Sequence, residues 1–172
     1  MVSRNKGLSR EMHWVTQTGN LSLVIDSKPW QSIEDQCRKA KDCETGGVLI
    51  GYYSEDTTTA VITEISAPPH DSDRGPTWFH RGVAGLKQLL LRRWKSVKRT
   101  YYLGEWHYHP STLIEPSGDD LDQMLKINCA PNYQCREPIM LIIGQNVTGT
   151  RQVRAFVFPR ELPYVEYQRI SK

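Results

Sequence analysis

Alternating apolar and polar positions divide the chain into short strands and a small number of amphipathic helices. Weak alternation predicts a first strand at residues 21–25, and the continuous apolar run from Val48 predicts a buried strand. Similar patterns predict further strands at residues 58–66, 101–109, 139–144 and 153–158. Apolar residues at helical spacing predict helices at about 29–42, 79–97 and 117–127. The apolar side of the second helix is predicted to comprise Val83, Leu86, Leu89, Leu90 and Trp94.

A central sheet with few helices is typical of the α/β and α+β classes, and the chain shows no repeat, linker or low-complexity segment. Its 172 residues suit one domain. We therefore expect a single domain over residues 1–172, with a core at about 20–160 and with residues 1–12 disordered or peripheral. The N-terminus lacks the apolar core of a signal peptide, and no apolar run approaches a membrane span. These features predict a cytoplasmic protein with no membrane partner.

Composition and charge narrow the classes of partner. With 38% hydrophobic and 24% charged residues, the chain is typical of a globular protein, and its net charge is only +3. Nucleic-acid binders usually cluster their basic residues on one face. One basic cluster lies near the end of the second predicted helix, where cations interact favourably with the helix dipole, and comprises Arg92, Arg93, Lys95, Lys98 and Arg99. We interpret it as a solvated face and expect no nucleic-acid partner, an expectation that salt-dependent affinity for DNA or RNA would contradict.

The cysteines give little indication of chemistry. In a reducing compartment they are most simply free thiols: Cys37, Cys43, Cys129 and Cys135. Cys129 and Cys135 are too widely spaced for a Cys-x-x-Cys pair. They are candidates for two ligands of a second metal site, but the sequence offers no evident further pair.

Candidate chemistry is concentrated in the fourth predicted strand and the helix that follows it. His107 and His109 occupy alternate positions, so both imidazoles face the same side of the strand. Ser117 is a typical N-terminal residue of a helix, and Asp119 and Asp120 fall in the first turn. Two imidazoles and one carboxylate form a three-ligand zinc set that leaves a position open for water. The same residues are also compatible with packed histidines and an ordinary helix cap.

Two glycines and two loops lie between the predicted elements. Gly46 and Gly47 precede the strand at Val48 and indicate close backbone approach, a bend from helix to strand, or both. Residues 67–78 are predicted to form a long loop, and loops of this kind often carry substrate contacts. Residues 128–138 are predicted to form a second irregular segment.

When the Glu-Thr-Gly-Gly run that begins at Glu44 is considered with the histidine stretch, the chain resembles the JAB/MPN domain family, also called the JAMM metalloproteases. The family signature is a glutamate, then His-x-His-Pro, six residues, Ser, two residues and Asp. The positions that match it in order and spacing are Glu44, His107, His109, Ser117 and Asp120. The resemblance covers residues 21–158. It implies a single JAB/MPN domain with a curved, mostly antiparallel central sheet flanked by helices.

The resemblance also implies a role for each matching residue. One Zn²⁺ ion is held by His107, His109 and Asp120, and not by the aspartate that precedes Asp120. Glu44 is the general base, which takes a proton from water and passes it to the leaving amine. Ser117 stabilises the tetrahedral oxyanion by hydrogen bonding, although its residue type alone also fits an N-cap.

Three stretches, two of which contain residues of the signature, resemble the stand-alone prokaryotic JAB subfamily: residues 44–51, 67–69 and 104–110. Members of that group accompany fused E1–E2-like proteins in bacterial anti-phage islands of the cyclic-oligonucleotide (CBASS) type. The resemblance implies an isopeptidase or peptidase that cleaves after the C-terminal residue of a ubiquitin-like protein or a cGAS-like nucleotidyltransferase. Such an enzyme would reverse E1–E2-type conjugation.

Two other functions are compatible with the same sequence. A peptidase that processes or deconjugates a sulfur-carrier or bacterial ubiquitin-like protein would share every catalytic residue and differ in the tail that it accepts. A non-catalytic MPN scaffold needs no metal ligands, so the complete motif argues against it. A purified protein without metal would favour the scaffold.

Overall fold

The computed structural model describes residues 11–160 and 163–170. The strands in these ranges are β1 (Met12–Thr16), β2 (Ser22–Ile25), β3 (Thr45–Tyr53), β4 (Thr59–Ile65), β5 (Asp73–Gly75), β6 (Trp78–His80), β7 (Tyr101–Tyr108), β8 (Ile139–Gln145), β9 (Arg151–Val157) and β10 (Val165–Ile170). The helices are α1 (Ser27–Ala40), α2 (Leu86–Trp94) and α3 (Gly118–Cys129). None of the helices in this part of the chain has the length and apolar character needed to cross a membrane.

Strands other than β5 and β6 close into a barrel in the order β1-β10-β9-β8-β7-β3-β4-β2. The pairs β2–β4 and β7–β8 are parallel, and the remaining barrel pairs are antiparallel. A parallel pair needs a long crossover connection. The segment containing α1 and β3 supplies the first crossover, and the segment containing α3 supplies the second. The predicted mixed α/β class, with a mostly antiparallel central sheet, is confirmed.

Strands β1 and β10 lie outside the predicted core at residues 20–160 and pair with each other to close the barrel. Trp14 of β1 lies opposite Arg169 of β10, whose guanidinium carbon is 5.8 Å from the indole centroid. Trp14 and Tyr167 are both buried, so each strand contributes to the core. Residues 1–12 are predicted to be disordered or peripheral, and residues 1–10 lie outside the described residues. Met12 contradicts the prediction, because it is buried and begins β1.

Apolar side chains pack against both faces of the sheet. In β3, Leu49 belongs to the cluster that contains the buried side of α1, whereas Val48 and Ile50 belong to the cluster that contains α3. Each of these side chains contributes about 1.5–3 kcal/mol when it is fully buried. A strand covered on both faces has no polar side, and β3 is therefore a continuous apolar run in the sequence.

Helix α2 is shorter than the helix predicted at residues 79–97. The Asp71 carboxylate accepts hydrogen bonds from the backbone N–H groups of Val83 and Ala84, each at 3.0 Å. Gly85 then adopts a left-handed φ of 78° directly before the helix. These contacts hold the preceding residues in a bend. Val83 and Trp94, which the pattern places on the apolar side, are instead 66% and 51% exposed.

Candidate metal centre

Strand β7 carries two histidines to one end of the barrel. His107 lies in β7 and His109 directly follows it, and both side chains are buried. The His109 backbone N–H still donates a hydrogen bond to the Ile143 carbonyl of β8 at 2.8 Å. The extended backbone therefore continues through the second histidine, and the two imidazoles lie on the same side of it.

The N-terminus of α3 brings Asp120 to these histidines. Ser117 is the N-cap residue: its Oγ accepts a hydrogen bond from the Asp120 N–H at 3.1 Å, and Asp120 Oδ2 accepts one from the Ser117 N–H at 2.7 Å. This capping box fixes the direction of the Asp120 side chain. Its Oδ1 lies 2.5 Å from His107 Nδ1, and its Oδ2 lies 3.5 Å from His109 Nε2. The preceding Asp119 is exposed and lies outside this group.

The three side chains together form a donor set that fits a metal ion. One ligand atom each from His107, His109 and Asp120 lies within 4.8 Å of the others, and all three residues are buried. Within the described residues, His107 Nε2 is buried with no hydrogen-bond partner, which is unusual for a buried polar atom. Two imidazoles and a carboxylate match the ligands of catalytic zinc sites. No second such cluster is found in the described part of the chain, and Cys129 and Cys135 belong to none.

Charges within the group favour an ionised Asp120. Burial raises the pKa of its carboxyl, but hydrogen bonds from His107 and His109 outweigh burial and hold the pKa well below its usual range. Burial lowers the pKa of His109, but the hydrogen bond to Asp120 and the nearby charge of Glu44 outweigh it, and the net pKa is raised. An ionised carboxylate is the form in which aspartate binds a metal.

Glu44 directly precedes β3 and lies beside the candidate metal site formed by His107, His109 and Asp120. Its backbone N–H donates a hydrogen bond to the Gly75 carbonyl at 2.8 Å, and its side chain is half-buried. Burial raises the pKa of the Glu44 carboxyl, the charge of His109 opposes this, and the charge of Asp120 adds to it. A carboxyl group with a raised pKa next to a metal-binding set is suited to proton transfer near neutral pH.

A groove of about 210 Å³ opens onto Glu44. Thr77, Trp78 and Phe79 line one wall, and residues 117–120 at the start of α3 line the other. The Phe79 ring packs edge-on against His107, with ring centroids 5.4 Å apart. The apolar pattern assigns residues 67–78 to a loop and does not indicate this wall, which the β5–β6 hairpin builds. Two adjacent aromatic residues directly after a Gly-Pro-Thr turn are the sequence signal that was available.

Gly46 and Gly47 let the backbone of β3 approach its neighbours closely beside the candidate metal site. A Cβ atom at Gly46 would lie 2.4 Å from the Trp106 carbonyl oxygen and 2.8 Å from the His107 ring. A Cβ atom at Gly47 would lie 2.4 Å from the Ser66 carbonyl oxygen. Of the two interpretations that the sequence allows, close approach is present in the structure.

The substitution Gly46→Ala is expected to destabilise the protein by about 1–3 kcal/mol, because the added methyl group overpacks against β7. It should also weaken zinc binding, since the His107 ring is one of the groups that must move. Urea unfolding measures the first effect and zinc titration the second. Gly118→Ala is the matched control for stability, because a Cβ atom there meets nothing within 4 Å. Equal stability of the two variants would contradict the prediction.

Comparisons with known proteins agree with the fold. A family model described as "Prokaryotic homologs of the JAB domain" matches residues 27–157. The chain is 43% identical over 160 residues to a CD-NTase/cGAS isopeptidase of Enterobacter hormaechei subsp. hoffmannii, with 92% of this chain and 88% of that protein covered. It is 26% identical over 132 residues to "Probable metalloprotease y4qB" of Sinorhizobium fredii, with 76% and 74% covered.

A solved structure shows the same fold at lower sequence identity. The solution structure of protein DSY2949 from Desulfitobacterium hafniense matches with a TM-score of 0.56 at 18% identity, and it covers 85% of this chain and 88% of that one. Identity at this level supports the fold alone. The family match spans most of the chain, and the 43% identical relative covers nearly all of it, so the resemblance in the sequence is confirmed. The chain belongs to the family of prokaryotic homologues of the JAB domain.

Proposed function

We propose that the protein is a zinc-dependent isopeptidase that releases a cGAS-like nucleotidyltransferase from targets joined to its C-terminus. The observation that carries the proposal is the convergence of His107, His109 and Asp120 beside Glu44 at an open groove. The 43% identical relative is named a CD-NTase/cGAS isopeptidase, and the relative from Sinorhizobium fredii is named a probable metalloprotease. Both names support hydrolysis of a peptide or isopeptide bond.

His107, His109 and Asp120 would hold one zinc ion per chain. When bound, zinc supplies Lewis acidity, which makes water a nucleophile near neutral pH and polarises a carbonyl oxygen. The protein contributes the rigidity of this set, because β7 fixes both histidines and the capping box of α3 fixes Asp120. Phe79 packs against the His107 ring and shields it from solvent on that side.

Glu44 is the group that moves the proton. Its carboxylate accepts a proton from the attacking water, whose oxygen forms the new bond to the scissile carbonyl carbon. When the carbon–nitrogen bond breaks, Glu44 returns this proton to the leaving amine. The second proton of the water is released with the products, a carboxylate and a free amine. Burial, which raises the pKa of Glu44, makes this second transfer easier, since the protonated form is more accessible near neutral pH.

The groove accounts for recognition of an extended tail. Because the barrel is closed, none of its strands offers a free edge. The separate β5–β6 sheet has unpaired edges, and the β6 side lines the groove. We place the substrate tail along this wall as an added strand, a mode in which main-chain hydrogen bonds provide affinity. Its last residue then lies beside Glu44.

The proposed physiological setting is reversal of conjugation by an E1–E2-like fusion protein in the cytoplasm of a bacterium with a CBASS-type anti-phage island. The name of the 43% identical relative favours a nucleotidyltransferase tail over that of a sulfur carrier or a ubiquitin-like protein. The intact set of His107, His109 and Asp120 argues against the non-catalytic scaffold, which has no use for buried metal ligands.

A cleavage assay tests the proposal. The C-terminal tail of the nucleotidyltransferase encoded nearby is fused to a reporter protein and incubated with zinc-loaded enzyme, and mass spectrometry locates the cut. We expect a cut after the last native residue of the tail, and none with Glu44→Ala. A ubiquitin-like tail and a sulfur-carrier tail serve as competing substrates. No cleavage of any tail by a zinc-loaded protein would contradict the proposal.

Ser117→Ala is expected to lower kcat by about 10²–10³-fold, because it removes the hydroxyl that donates to Asp120 Oδ2 at 2.8 Å in this structure and that is proposed to donate to the oxyanion during the reaction. The loss of stability should be only about 1 kcal/mol, the usual value of an N-cap. Ser117 Oγ caps α3, and the residue lines the groove beside Glu44. Turnover and urea unfolding separate the two roles, with Ser117→Thr as the control that keeps the hydroxyl group. A less stable variant with unchanged kcat would show that Ser117 acts only as an N-cap and has no role in catalysis.

A further inference from the structure

A buried ion pair joins the groove wall to the strand that carries the metal ligands. Arg81 directly follows β6, and Glu105 lies in β7 two residues before His107. Arg81 Nε donates a hydrogen bond to Glu105 Oε2 at 2.6 Å, and the two side chains are 5% and 0% exposed. Because side chains alternate along a strand, Glu105 and His107 face the same side of β7. The ion pair therefore lies on the face that carries the first metal ligand.

Two tyrosines complete the network around this pair. The Tyr102 hydroxyl donates to Glu105 Oε1 at 2.9 Å, and Arg81 Nη2 donates to the Tyr133 hydroxyl at 3.2 Å. The two tyrosine rings meet edge to face with centroids 4.9 Å apart. Arg81 Nη1 donates to the Gly82 carbonyl at 2.9 Å. Three separate segments thus meet at one charge pair: β7, the residues that follow β6, and the irregular segment after α3.

The hairpin of β5 and β6 depends on such contacts for its position. An isolated two-stranded sheet is marginally stable in water. Three contacts tie this one to the barrel: the hydrogen bond from the Glu44 N–H to the Gly75 carbonyl, the packing of Phe79 against His107, and the Arg81 ion pair. Arg81 is two residues from Phe79, and Glu105 is two residues from His107. The ion pair and the ring contact therefore fix the same two strands against each other.

We infer that Arg81 is a positioning residue that clamps the groove wall against β7 and so sets the width of the groove that receives the substrate tail. This inference rests on the proposed function. A buried charge pair often adds little to stability compared with apolar residues of similar volume. It does impose a defined geometry, because the planar guanidinium binds its partners in fixed directions. The clamp acts on recognition, whereas His107 and Glu44 act on the chemistry.

The test replaces Arg81 with lysine, which keeps the charge but loses the fork that reaches Tyr133 and Gly82. We expect KM for the tail–reporter fusion to rise by about tenfold, which corresponds to about 1.4 kcal/mol of lost tail binding, with kcat within about twofold of wild type. Zinc content should not change. In the inactive Glu44→Gln background, the Kd of a fluorescein-labelled peptide of the tail should rise by about the same factor.

Arg93→Lys is the matched control. Arg93 of α2 forms a bidentate but more exposed ion pair with Glu64 of β4, with Nη2 2.8 Å from Oε1, outside the groove lining. This variant is expected to leave KM and Kd unchanged. Tyr133→Phe removes one hydroxyl from the network without unpairing the charges. It should raise KM by about twofold to threefold, and it provides the test if Arg81→Lys does not fold.

The outcomes separate the clamp from the proposed function. Unchanged KM and Kd in folded Arg81→Lys, or in Tyr133→Phe if only that variant folds, would overturn the clamp while wild type still cleaves. A tenfold fall of kcat in Arg81→Lys with unchanged KM would also overturn it, because the residue would then act on the chemistry. A wild-type protein that neither cleaves nor binds the tail would overturn the proposed function itself.

Discussion

Glutamine in place of Glu44 is expected to reduce turnover by about 10²–10⁴-fold, the usual contribution of a general base, while the protein still folds and binds zinc. Glutamine has nearly the same shape as glutamate but cannot accept the proton of the attacking water. The hydrogen bond from residue 44 to the Gly75 carbonyl comes from the backbone and is therefore kept. Single-turnover cleavage, zinc content by mass spectrometry and Tm measure the three parts of the prediction.

Asp42→Asn is the matched control for this variant. Asp42 is an exposed carboxylate two residues before Glu44 and does not line the groove, so its neutralisation should leave turnover unchanged. The general-base assignment fails if Glu44→Gln cleaves at a rate close to that of wild type. If Glu44→Gln instead loses zinc, the residue supports the metal centre and another group must move the proton.

The three residues of the candidate metal centre could be identified from the sequence for different reasons. The alternation of His107 and His109 in a strand is a local property, so periodicity alone places both imidazoles on one side. Asp120 is different, because two adjacent aspartates follow Ser117 and local pattern does not choose between them. The family signature makes that choice, and the structure shows its physical basis: only the second aspartate is placed by the capping box to reach the histidines.

Barrel closure was not accessible from local pattern. β1 and β10 are short and lie more than a hundred residues apart, and the barrel closes only because they pair with each other. The length of α2 was also obscured, because the residues before it carry apolar side chains that look helical. Hydrogen bonds from Val83 and Ala84 to Asp71, twelve or more residues away, decide that bend. Hydrophobic periodicity reports local structure and cannot predict contacts between distant segments.

Glu105 is a buried charged residue whose burial the hydrophobic pattern does not predict. A glutamate in the middle of a strand predicts a solvated position, yet this one is fully buried. Its partner Arg81 lies 24 residues away in a segment assigned to a helix by its apolar spacing. The charge is tolerated because a guanidinium and a tyrosine hydroxyl satisfy it. Neither partner can be identified until the fold brings the segments together.

Removal of zinc by a chelator is expected to lower the cleavage rate by about 10⁴-fold, and added zinc should restore the rate in wild type. Loss of the Lewis acid removes several kcal/mol of transition-state stabilisation, and each 1.36 kcal/mol is a factor of ten in rate. His107→Ala should lose both zinc and activity, and zinc should not restore either. Cleavage rate and metal content after chelation and reconstitution give the measurement, with exposed His70→Ala as the control that keeps both.

Thermal unfolding adds a readout that does not depend on substrate. A metal that binds only the native state stabilises it by about 4 kcal/mol at a thousandfold excess over Kd. Zinc should therefore raise the Tm of wild type and of Glu44→Gln but not that of His107→Ala. A wild-type protein that cleaves without metal would contradict the zinc mechanism. A wild-type protein whose Tm does not respond to zinc would favour the scaffold function, because buried His107 and Asp120 would then serve only to hold α3 against β7.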